Sequence, residues 1–577
     1  MALSSRQDTL MKTQLLILCT LLLSAGTAMG QTYNDLWIPD TLSGTRFNLE
    51  LKDTLKQFRT GPKTITGGIN HDFWGPTLMM NKGDTVRMIV RNKLNDSSTV
   101  HWHGMHLPAV MDGGPHQIIP PGTLWSPYWK VMQKAATLWY HPHLHEMAQK
   151  QVTLGLGGFI YIRDAEERSL NLPRAYGVDD IPMAIGSRKF SGNNQFLTAN
   201  AAYGDYVIVN GTENAKVSLP KQYVRLRLLN SDIARGYNVG FSDNRNFYVI
   251  ATDGGLVNAP IQTNRVILMI GERAEILVDL SNDAVGATLD LKAYNSGQNQ
   301  LSFPGAENQT QGQFGSLLNN RDFNLVRINV SAQTANPVLT VPTTLTNNIY
   351  WTAVNATVNR TVRVTGGQPP GGLFTLDNRA YGFNRIDQTV NLDATEKWTI
   401  TNNQVFGHAF HIHDIEFKII SRTSGLKTYE NGWKDVVYIP RNESVSFVAK
   451  FDDFADSDPD HPYMYHCHLA NHEDEGMMGQ FLVTTTTTIP RELAASDNYF
   501  ELSPNPVSER LNVTFPDPSN TPYYLILRAV NGRAIMMSPK PILTNGLDVS
   551  GLPAGVYILQ IRDTKNRSWT TKRFVKQ

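Results

Sequence analysis

The chain has 577 residues, with 52 lysines and arginines against 51 aspartates and glutamates, 15 histidines and two cysteines. This length provides several domains whose cores are large enough to fold without disulfide or metal crosslinks. Two cysteines exclude a disulfide framework, a cysteine-rich zinc module and an iron–sulfur protein. A formal net charge of +1 creates no general field for nucleic acid, and we expect no nucleic-acid partner.

Residues 1–30 have the composition of a cleaved secretory signal peptide. Two basic residues precede an apolar run from Leu15 to Leu23, and small residues precede Gln31. The apolar run is too short to span a bilayer, and no long apolar run follows it. We therefore predict export from the cytoplasm and no transmembrane segment in the mature chain, in which Cys467 is the only cysteine.

From Gln31 onward, short β-branched and aromatic runs alternate with Gly, Pro, Asn and Asp, as in Thr85–Val90, Tyr223–Leu229 and Ser444–Phe451. This pattern favours β-sandwiches or barrels over βαβ units. The sequence predicts an all-β fold. The predicted domains are 31–168, 169–335 and 336–490, followed by a small β module at 500–577.

The last of these segments, 500–577, differs from the others in charge. It contains ten basic and five acidic residues, which leaves the region 31–499 acidic. Strands are predicted in it near Leu511–Phe515, Tyr523–Val530 and Val556–Ile561.

Four motifs contain most of the histidines, and none lies between Glu146 and Gly407. The motifs are His101-Trp102-His103-Gly104, Trp139-Tyr140-His141-Pro142-His143, His408-Ala409-Phe410-His411-Ile412-His413, and His466-Cys467-His468 continuing to His472 and Met477. Residues i and i+2 of a strand point to the same side, so each His-x-His directs two imidazoles into one cleft.

In the last motif, His466 and His468 face one site and Cys467 faces another. In proteins generally, the trigonal ligand set of a blue copper site consists of two histidines and one cysteine, with a methionine as a distant further ligand. Zinc is the second candidate, but structural zinc prefers four strong ligands. The eight remaining motif histidines suit a cluster of several copper ions.

In their order and separation, the four motifs resemble the multicopper oxidases of the laccase and bacterial cuprous- and phenol-oxidase group. The resemblance covers roughly residues 45–485 and includes the stretches Gly75–Thr77, Asp112–Pro115, Gly432–Asp435 and His472–Gly479. It implies three cupredoxin-like β-sandwich domains, of which the middle one has no copper ligands.

The resemblance also implies four copper ions. The type 1 copper would be held by His408, Cys467 and His472, with Met477 axial. The type 2 copper would take His101 and His411. One type 3 copper would take His103, His141 and His468, and the other would take His143, His413 and His466. The remaining histidines, read as surface or supporting residues, are His71, His106, His116, His145 and His461.

In proteins of this group, electrons from a reducing substrate enter at the type 1 copper. They pass through Cys467 to the trinuclear cluster, where dioxygen becomes water. Asp112 and Glu473 lie where the group has acidic residues near that cluster, and we expect them to deliver protons. The alternatives are a turn residue for Asp112 and a surface ion pair for Glu473.

The substrate is predicted from methionine usage. No methionine lies between Met269 and Met464, although thioethers suit Cu(I). This favours a laccase-like oxidase of phenols or other small organic reductants, with an exposed type 1 edge. A metal oxidase for Cu(I), Fe(II) or Mn(II) in copper tolerance is one alternative, and a non-enzymatic copper-binding or assembly protein is another.

Residues 500–577 are similar to the sorting domain of the type IX secretion system, on stretches such as Leu502–Pro506 and Leu547–Tyr557. The alternative is an accessory carbohydrate-binding sandwich. The resemblance implies the secretion machinery as a partner, with passage through the periplasm to the cell surface or the medium.

Overall fold

The computed structural model describes residues 32–199, 201–366, 373–485, 500–514, 523–529, 534–537, 546–563 and 570–577. The predicted signal peptide, 1–30, lies outside the described residues. The chain divides into two compact units. The first consists of 1–388, 393–454 and 461–481, and the second of 389–392, 455–460 and 482–577.

The first region of the chain forms two sheets. Its strands are β1 (Asn34–Asp35), β2 (Thr41–Ser43), β3 (Arg46–Lys56), β4 (Thr64–Ile69), β5 (Thr77–Asn81), β6 (Thr85–Lys93), β7 (Leu124–Trp125), β8 (Tyr128–Lys130), β9 (Ala136–Tyr140) and β10 (Gly158–Arg163). One sheet has the order β2-β5-β10-β9, and the other has the order β4-β3-β6-β7 with β8 also on β6. Phe47, Trp102 and Ile160 are buried in their shared core.

The middle region also forms two sheets. Its strands are β11 (Asp180–Arg188), β12 (Tyr206–Val209), β13 (Thr212–Glu213), β14 (Ala215–Pro220), β15 (Tyr223–Asn230), β16 (Tyr237–Phe241), β17 (Phe247–Thr252), β18 (Gly255–Thr263), β19 (Val266–Leu268), β20 (Arg273–Asp279), β21 (Thr288–Tyr294) and β22 (Asp322–Ser331). The sheet orders are β13-β12-β11-β15-β20-β17-β18 and β1-β14-β22-β21-β16-β19. The early strand β1 thus pairs in parallel with β14, aligning Asn34 with Ala215.

The third region repeats the arrangement. Its strands are β23 (Val358–Gly366), β24 (Phe374–Leu376), β25 (Gln388–Asn391), β26 (Ala394–Asn402), β27 (His408–Ile412), β28 (Phe417–Arg422), β29 (Val436–Ile439), β30 (Glu443–Phe451), β31 (Tyr463–Cys467) and β32 (Met478–Thr484). The sheet orders are β24-β23-β26-β30-β28 and β25-β32-β31-β27-β29. Trp398 is buried in the core beside Phe447 and Tyr465.

Helices are short and lie between strands. The α-helices among the described residues are α1 (Ala148–Leu154), α2 (Ala165–Ser169) and α3 (Ala470–Asp474), and the 3-10 helices are Ala109–Met111, Ala353–Asn355 and Thr428–Glu430. The side chain of Asp164 caps α2, and α1 ends at Gly155 in the left-handed region (φ 112°). None of these helices is long and apolar enough to cross a membrane.

The C-terminal region forms its own β module. Its strands are β33 (Glu501–Ser503), β34 (Arg510–Thr514), β35 (Tyr523–Ala529), β36 (Ala534–Met537), β37 (Gly546–Asp548), β38 (Gly555–Asp563) and β39 (Thr570–Lys576). The sheet orders are β33-β34-β37 and β36-β35-β38-β39. Leu511, Leu527, Leu559 and Phe574 are buried in its core. The three strands predicted here correspond to β34, β35 and β38.

The architecture confirms the predicted all-β fold class of three sandwiches and a small β module. The exact domain boundaries remain a prediction.

Candidate metal centre

Strands β27 and β31 pair antiparallel and send alternate side chains to two sides. His411 lies opposite His466, and Phe410 lies opposite Cys467. Cross-strand partners share a face, so His411 and His466 point to one side of the sheet, whereas Cys467 and His408 point to the other. The structure therefore agrees with the two-sided arrangement expected from the His-Cys-His sequence.

On the first side, histidines from the first and third regions interleave. The backbones of His101 and His141 form reciprocal hydrogen bonds of 2.8 and 3.1 Å. The ring of His101 stacks on that of His413, and the ring of His103 stacks on that of His411, each with a centroid distance of 3.8 Å. The imidazoles in this cluster are His101, His103, His141, His143, His411, His413, His466 and His468.

Most imidazoles of this cluster are oriented by an acceptor at Nδ1. Nδ1 of His101 lies 3.1 Å from the carbonyl oxygen of Asp112, and Nδ1 of His411 lies 2.8 Å from that of Asp435. His141 makes the corresponding contact with its neighbour Pro142. A carbonyl only accepts, so these rings carry their proton on Nδ1 and have a free lone pair on Nε2.

The Nε2 atoms of His101, His141 and His411 are buried and have no hydrogen-bond partner in the described part of the chain. Buried polar atoms are rarely left unpaired, because losing water without compensation is costly. Nε2 atoms also converge in a second group, where those of His143 and His413 lie 3.2 and 3.3 Å from that of His466. Metal ligation would satisfy all of these atoms, so the site fits a metal cluster.

Burial also keeps several of these rings neutral. It lowers the pKa of His141, His411 and His413 well below the ordinary value, and neighbouring imidazoles lower it further. Burial lowers the pKa of His468 to about 3. Neutral imidazole is the form that binds metals.

Both acidic residues predicted from the sequence are buried against this cluster. Asp112 Oδ2 lies 2.6 Å from His413 Nδ1. Glu473, on α3, places its two carboxylate oxygens 3.0 and 3.3 Å from Nδ1 of His143 and His466. Burial alone would raise the pKa of Glu473, but these two histidines lower it well below the ordinary value. Neither the surface ion pair considered for Glu473 nor a purely local turn role for Asp112 describes these contacts.

On the other side of β31, Cys467 meets two histidines. Its Sγ lies 3.5 Å from His408 Nδ1 and 3.7 Å from His472 Nδ1. Met477 is buried, and its carbonyl accepts a hydrogen bond from the backbone N–H of Cys467. Burial raises the pKa of the thiol to about 12, so a bound metal is needed to produce the thiolate. The His2Cys set matches a blue copper site in the chemistry of its donors.

The expected exposed edge at this site is wrong. His408 and His472 are only 1% and 2% exposed. The ring of Phe374, at the start of β24, lies against both imidazoles, with centroid distances of 5.1 and 4.2 Å. Phe374 is distant from both in sequence, and no spacing rule indicates the contact.

The five remaining histidines do not join the metal-ligand groups found among the described residues. His106 contacts Asp453, whose carboxylate overcomes the effect of burial and raises the pKa of His106 to about 9. His116 stacks on Phe383. Contacts are also present for His71, His145 and His461.

Sequence reasoning missed three residues around His103. Asp435 Oδ1 lies 3.2 Å from His103 Nε2, and Arg273 pairs with Asp435. Gly271 packs against the rings of His103 and His468. Asp435 is the last residue of the stretch Gly432–Asp435, but Gly271 and Arg273 belong to the histidine-free middle region, where no motif indicated a functional residue.

Comparison with known proteins identifies the family. Models of multicopper oxidases match residues 51–167 and 352–487. A model of the secretion system C-terminal sorting domain matches residues 501–577, which confirms the predicted sorting domain and indicates type IX secretion to the cell surface or the exterior.

Relatives match along most of the chain. Multicopper oxidase mco of Staphylococcus haemolyticus is 31% identical over 471 residues, which is 79% of this chain and 93% of the relative. Cell division protein FtsP of Proteus mirabilis is 30% identical over 430 residues, which is 73% of this chain and 86% of the relative.

Among solved structures, the laccase-like multicopper oxidase CueO from Ochrobactrum sp. is 30% identical with a TM-score of 0.70, covering 78% of this chain and all of that chain. That protein is described as having oxidase activity towards lignin model compounds and lignosulfonate. The chain described here belongs to the multicopper oxidase family, and it is a copper-dependent oxidoreductase.

Proposed function

We propose that the chain is a laccase-like oxidase holding four copper ions. The observation that carries the proposal is the placement of two donor groups on opposite sides of β31, the Cys467 group on one side and eight buried imidazoles on the other. The proposed type 1 ligands are His408, Cys467, His472 and Met477. The proposed type 2 ligands are His101 and His411. The proposed type 3 ligands are His103, His141 and His468 for one ion, and His143, His413 and His466 for the other.

The bound copper would supply one-electron oxidation of the substrate and reduction of dioxygen to water. The chain itself provides a short covalent connection between the two donor groups, because Cys467 is bonded through the backbone to His466 and His468. Their separate sides of the strand keep the two groups apart while the backbone joins them. Cys467 therefore acts as a ligand and an electron conductor rather than as a nucleophile.

Asp112 and Glu473 would hold and deliver protons. Asp112 accepts a hydrogen bond from His413, and the two carboxylate oxygens of Glu473 lie 3.0 and 3.3 Å from Nδ1 of His143 and His466, so each carboxylate touches proposed ligands of the oxygen-reducing site. Such outer carboxylates also fix the tautomer and ring orientation of ligating histidines.

The proposed substrates are phenols or other small organic reductants. The lack of methionine between Met269 and Met464 supports this, since a Cu(I)-binding surface would use thioethers. The ring of Phe374 lies against the imidazole of His472, and this aromatic, uncharged cover is better suited to contact with organic molecules than with metal cations. The described activity of the Ochrobactrum protein points the same way.

A second candidate is a non-enzymatic copper-binding or assembly protein, which is kept because one relative is named as a cell division protein, FtsP of Proteus mirabilis. The complete set of proposed ligands in two buried groups supports the oxidase instead. A metal oxidase for Cu(I), Fe(II) or Mn(II) in copper tolerance is the third candidate.

The proposed route of export begins with the signal peptide at 1–30 and passes through the periplasm. The sorting domain then presents the chain to the type IX secretion machinery. Whether the tail is removed or anchors the enzyme does not affect the catalytic sites, since all of the proposed ligands precede residue 500.

Copper removal is expected to lower the unfolding temperature of the full chain. A ligand that binds only the folded state, present at about 1,000 times its Kd, stabilises by about 4 kcal/mol. Calorimetry of copper-free, copper-loaded and zinc-loaded protein measures the effect, and zinc should stabilise less than copper. Identical unfolding temperatures with and without copper would contradict a buried copper site.

Oxygen consumption should identify the reductant. With a phenolic dye, the copper-loaded enzyme is expected to consume oxygen without added Cu(I), Fe(II) or Mn(II). Cys467→Ser, which removes the type 1 thiolate, is the control and should abolish uptake. Uptake only with a metal ion would indicate a metal oxidase, and no uptake by a fully loaded protein would indicate the non-enzymatic function.

Asp112→Asn and Glu473→Gln are expected to keep the blue colour but slow oxygen turnover by about 100-fold, because positioned acids contribute on this order to proton transfer. Stopped-flow oxygen consumption and copper content are measured together. Asp474→Asn is the matched control, since Asp474 accepts from backbone N–H groups of α1 and touches no imidazole in the described contacts. A variant with full oxygen uptake removes that residue from the proton path.

Deletion of residues 500–577 should retain active enzyme in the periplasm, because the deleted segment is the sorting domain. Cell fractionation followed by dye oxidation measures the distribution, with the full-length chain as control. Unchanged extracellular activity would show that the tail does not direct secretion.

A further inference from the structure

The middle region supplies no histidine, yet it forms part of the wall of the imidazole cluster. Gly271 has a φ of 85°, and a Cβ added there would lie 3.0 Å from His468 Cδ2 and 3.2 Å from His103 Cε1. Two residues further along, at the start of β20, Arg273 is fully buried. The backbone of the middle region therefore packs directly against two proposed copper ligands, with the buried side chain of Arg273 close by.

All five N–H donors of Arg273 are used. Nε donates to the carbonyl of Thr137, while Nη1 and Nη2 donate to the carbonyls of Gly271 and Asp253. The two remaining donors reach the carboxylate oxygens of Asp435, each at 2.6 Å. Lysine has three donors on a single nitrogen and cannot reproduce this planar fork.

Asp435 connects this fork to two imidazoles. Its Oδ1 lies 3.2 Å from His103 Nε2, and its backbone carbonyl accepts from His411 Nδ1 at 2.8 Å. The rings of His103 and His411 are stacked with an angle of 8° between their planes. One residue thus sets the orientation of a pair of stacked ligands.

The contact also sets the tautomer of His103. Both carboxylate oxygens of Asp435 are engaged as acceptors by Arg273, and the Asp435 carboxylate also accepts a hydrogen bond from the N–H at Nε2 of His103. The lone pair of His103 therefore lies on Nδ1, which is 3.2 Å from His468 Nε2. His103 and His468 are proposed ligands of the same type 3 copper.

We propose that Arg273 and Asp435 are a positioning pair through which the middle region fixes the orientation and tautomer of His103 and so controls retention of copper at the trinuclear site. This rests on the proposed ligand assignment. Arg273 acts through Asp435, and neither residue is proposed to bind copper. The middle region is then part of the oxygen-reducing site as well as a spacer.

The test measures copper retention by the full chain. Arg273→Lys keeps the charge but loses the fork, and Asp435→Asn keeps the shape but loses a charged acceptor for Arg273. Arg225→Lys is the matched control, because Arg225 is a buried arginine of the same region that pairs with Glu275 and Glu167 and has no described contact with a histidine.

Each protein is loaded with copper and dialysed against graded concentrations of a chelator. Metal analysis gives the copper per chain, the blue absorption band gives type 1 occupancy, and electron paramagnetic resonance separates type 1 from type 2 copper. Arg273→Lys and Asp435→Asn are expected to retain trinuclear copper about 10–100-fold less tightly, as for other outer-contact substitutions at metal sites. The blue band should persist, since the Cys467 group lies on the other side of β31. Arg225→Lys should resemble the unmodified chain.

Unchanged retention in both test variants would overturn the inference, and so would equal loss in Arg225→Lys or equal loss of blue and trinuclear copper. If the unmodified chain binds only the one copper ion that gives the blue band, this result contradicts the proposed ligand assignment rather than the positioning role. One test variant changes Arg273 and the other changes Asp435. If one of them misfolds, copper retention by the other still tests the inference.

Discussion

Strand β31 imposes the constraint on which the whole site depends. Consecutive side chains of a strand point to opposite sides, so His466 and Cys467 must contribute to two separate places, and His468, the first residue after β31, lies beside His466 in the imidazole cluster. Pairing with β27 determines which residues lie opposite Cys467 and His466. His411 lies opposite His466, and Phe410 lies opposite Cys467. A one-residue slip in this register would turn every ligand of one strand away from its partners. Backbone hydrogen bonds therefore maintain the separation between the two donor groups.

Folding the imidazole cluster without metal costs free energy, because buried nitrogen atoms are left without partners. Metal binding offsets this cost. The rings of the cluster are buried, and several are held from outside by carbonyls or carboxylates at Nδ1. That leaves lone pairs at Nε2 facing inward without protons between them. Interiors rarely tolerate such unpaired atoms. The same contacts that orient the ligands thus make the empty cluster unfavourable, which couples folding to occupancy.

Much of this site could be predicted from the sequence, because the histidine motifs are local and strand alternation is a local rule. The opposite sides taken by Cys467 and His466 and the burial of Asp112 and Glu473 near the cluster follow that expectation. The exposed edge expected at the type 1 site was predicted wrongly, since Phe374 covers His472 from another strand about a hundred residues away. The Arg273–Asp435 pair was also missed. Its members are far apart in the chain, and charged residues are too common to indicate a contact by themselves.

The pairing of β1 with β14 ties the beginning of the described chain to the middle region, about 180 residues later. Leu36, just after β1, is buried in the same core as the middle strands. Cutting the chain between the first and second sandwiches would leave β14 as an open edge, with unpaired N–H and C=O groups ready to pair with another molecule. The first two sandwiches are therefore structurally joined through β1. A chimera that exchanges the middle sandwich between relatives must also exchange the segment that contains β1.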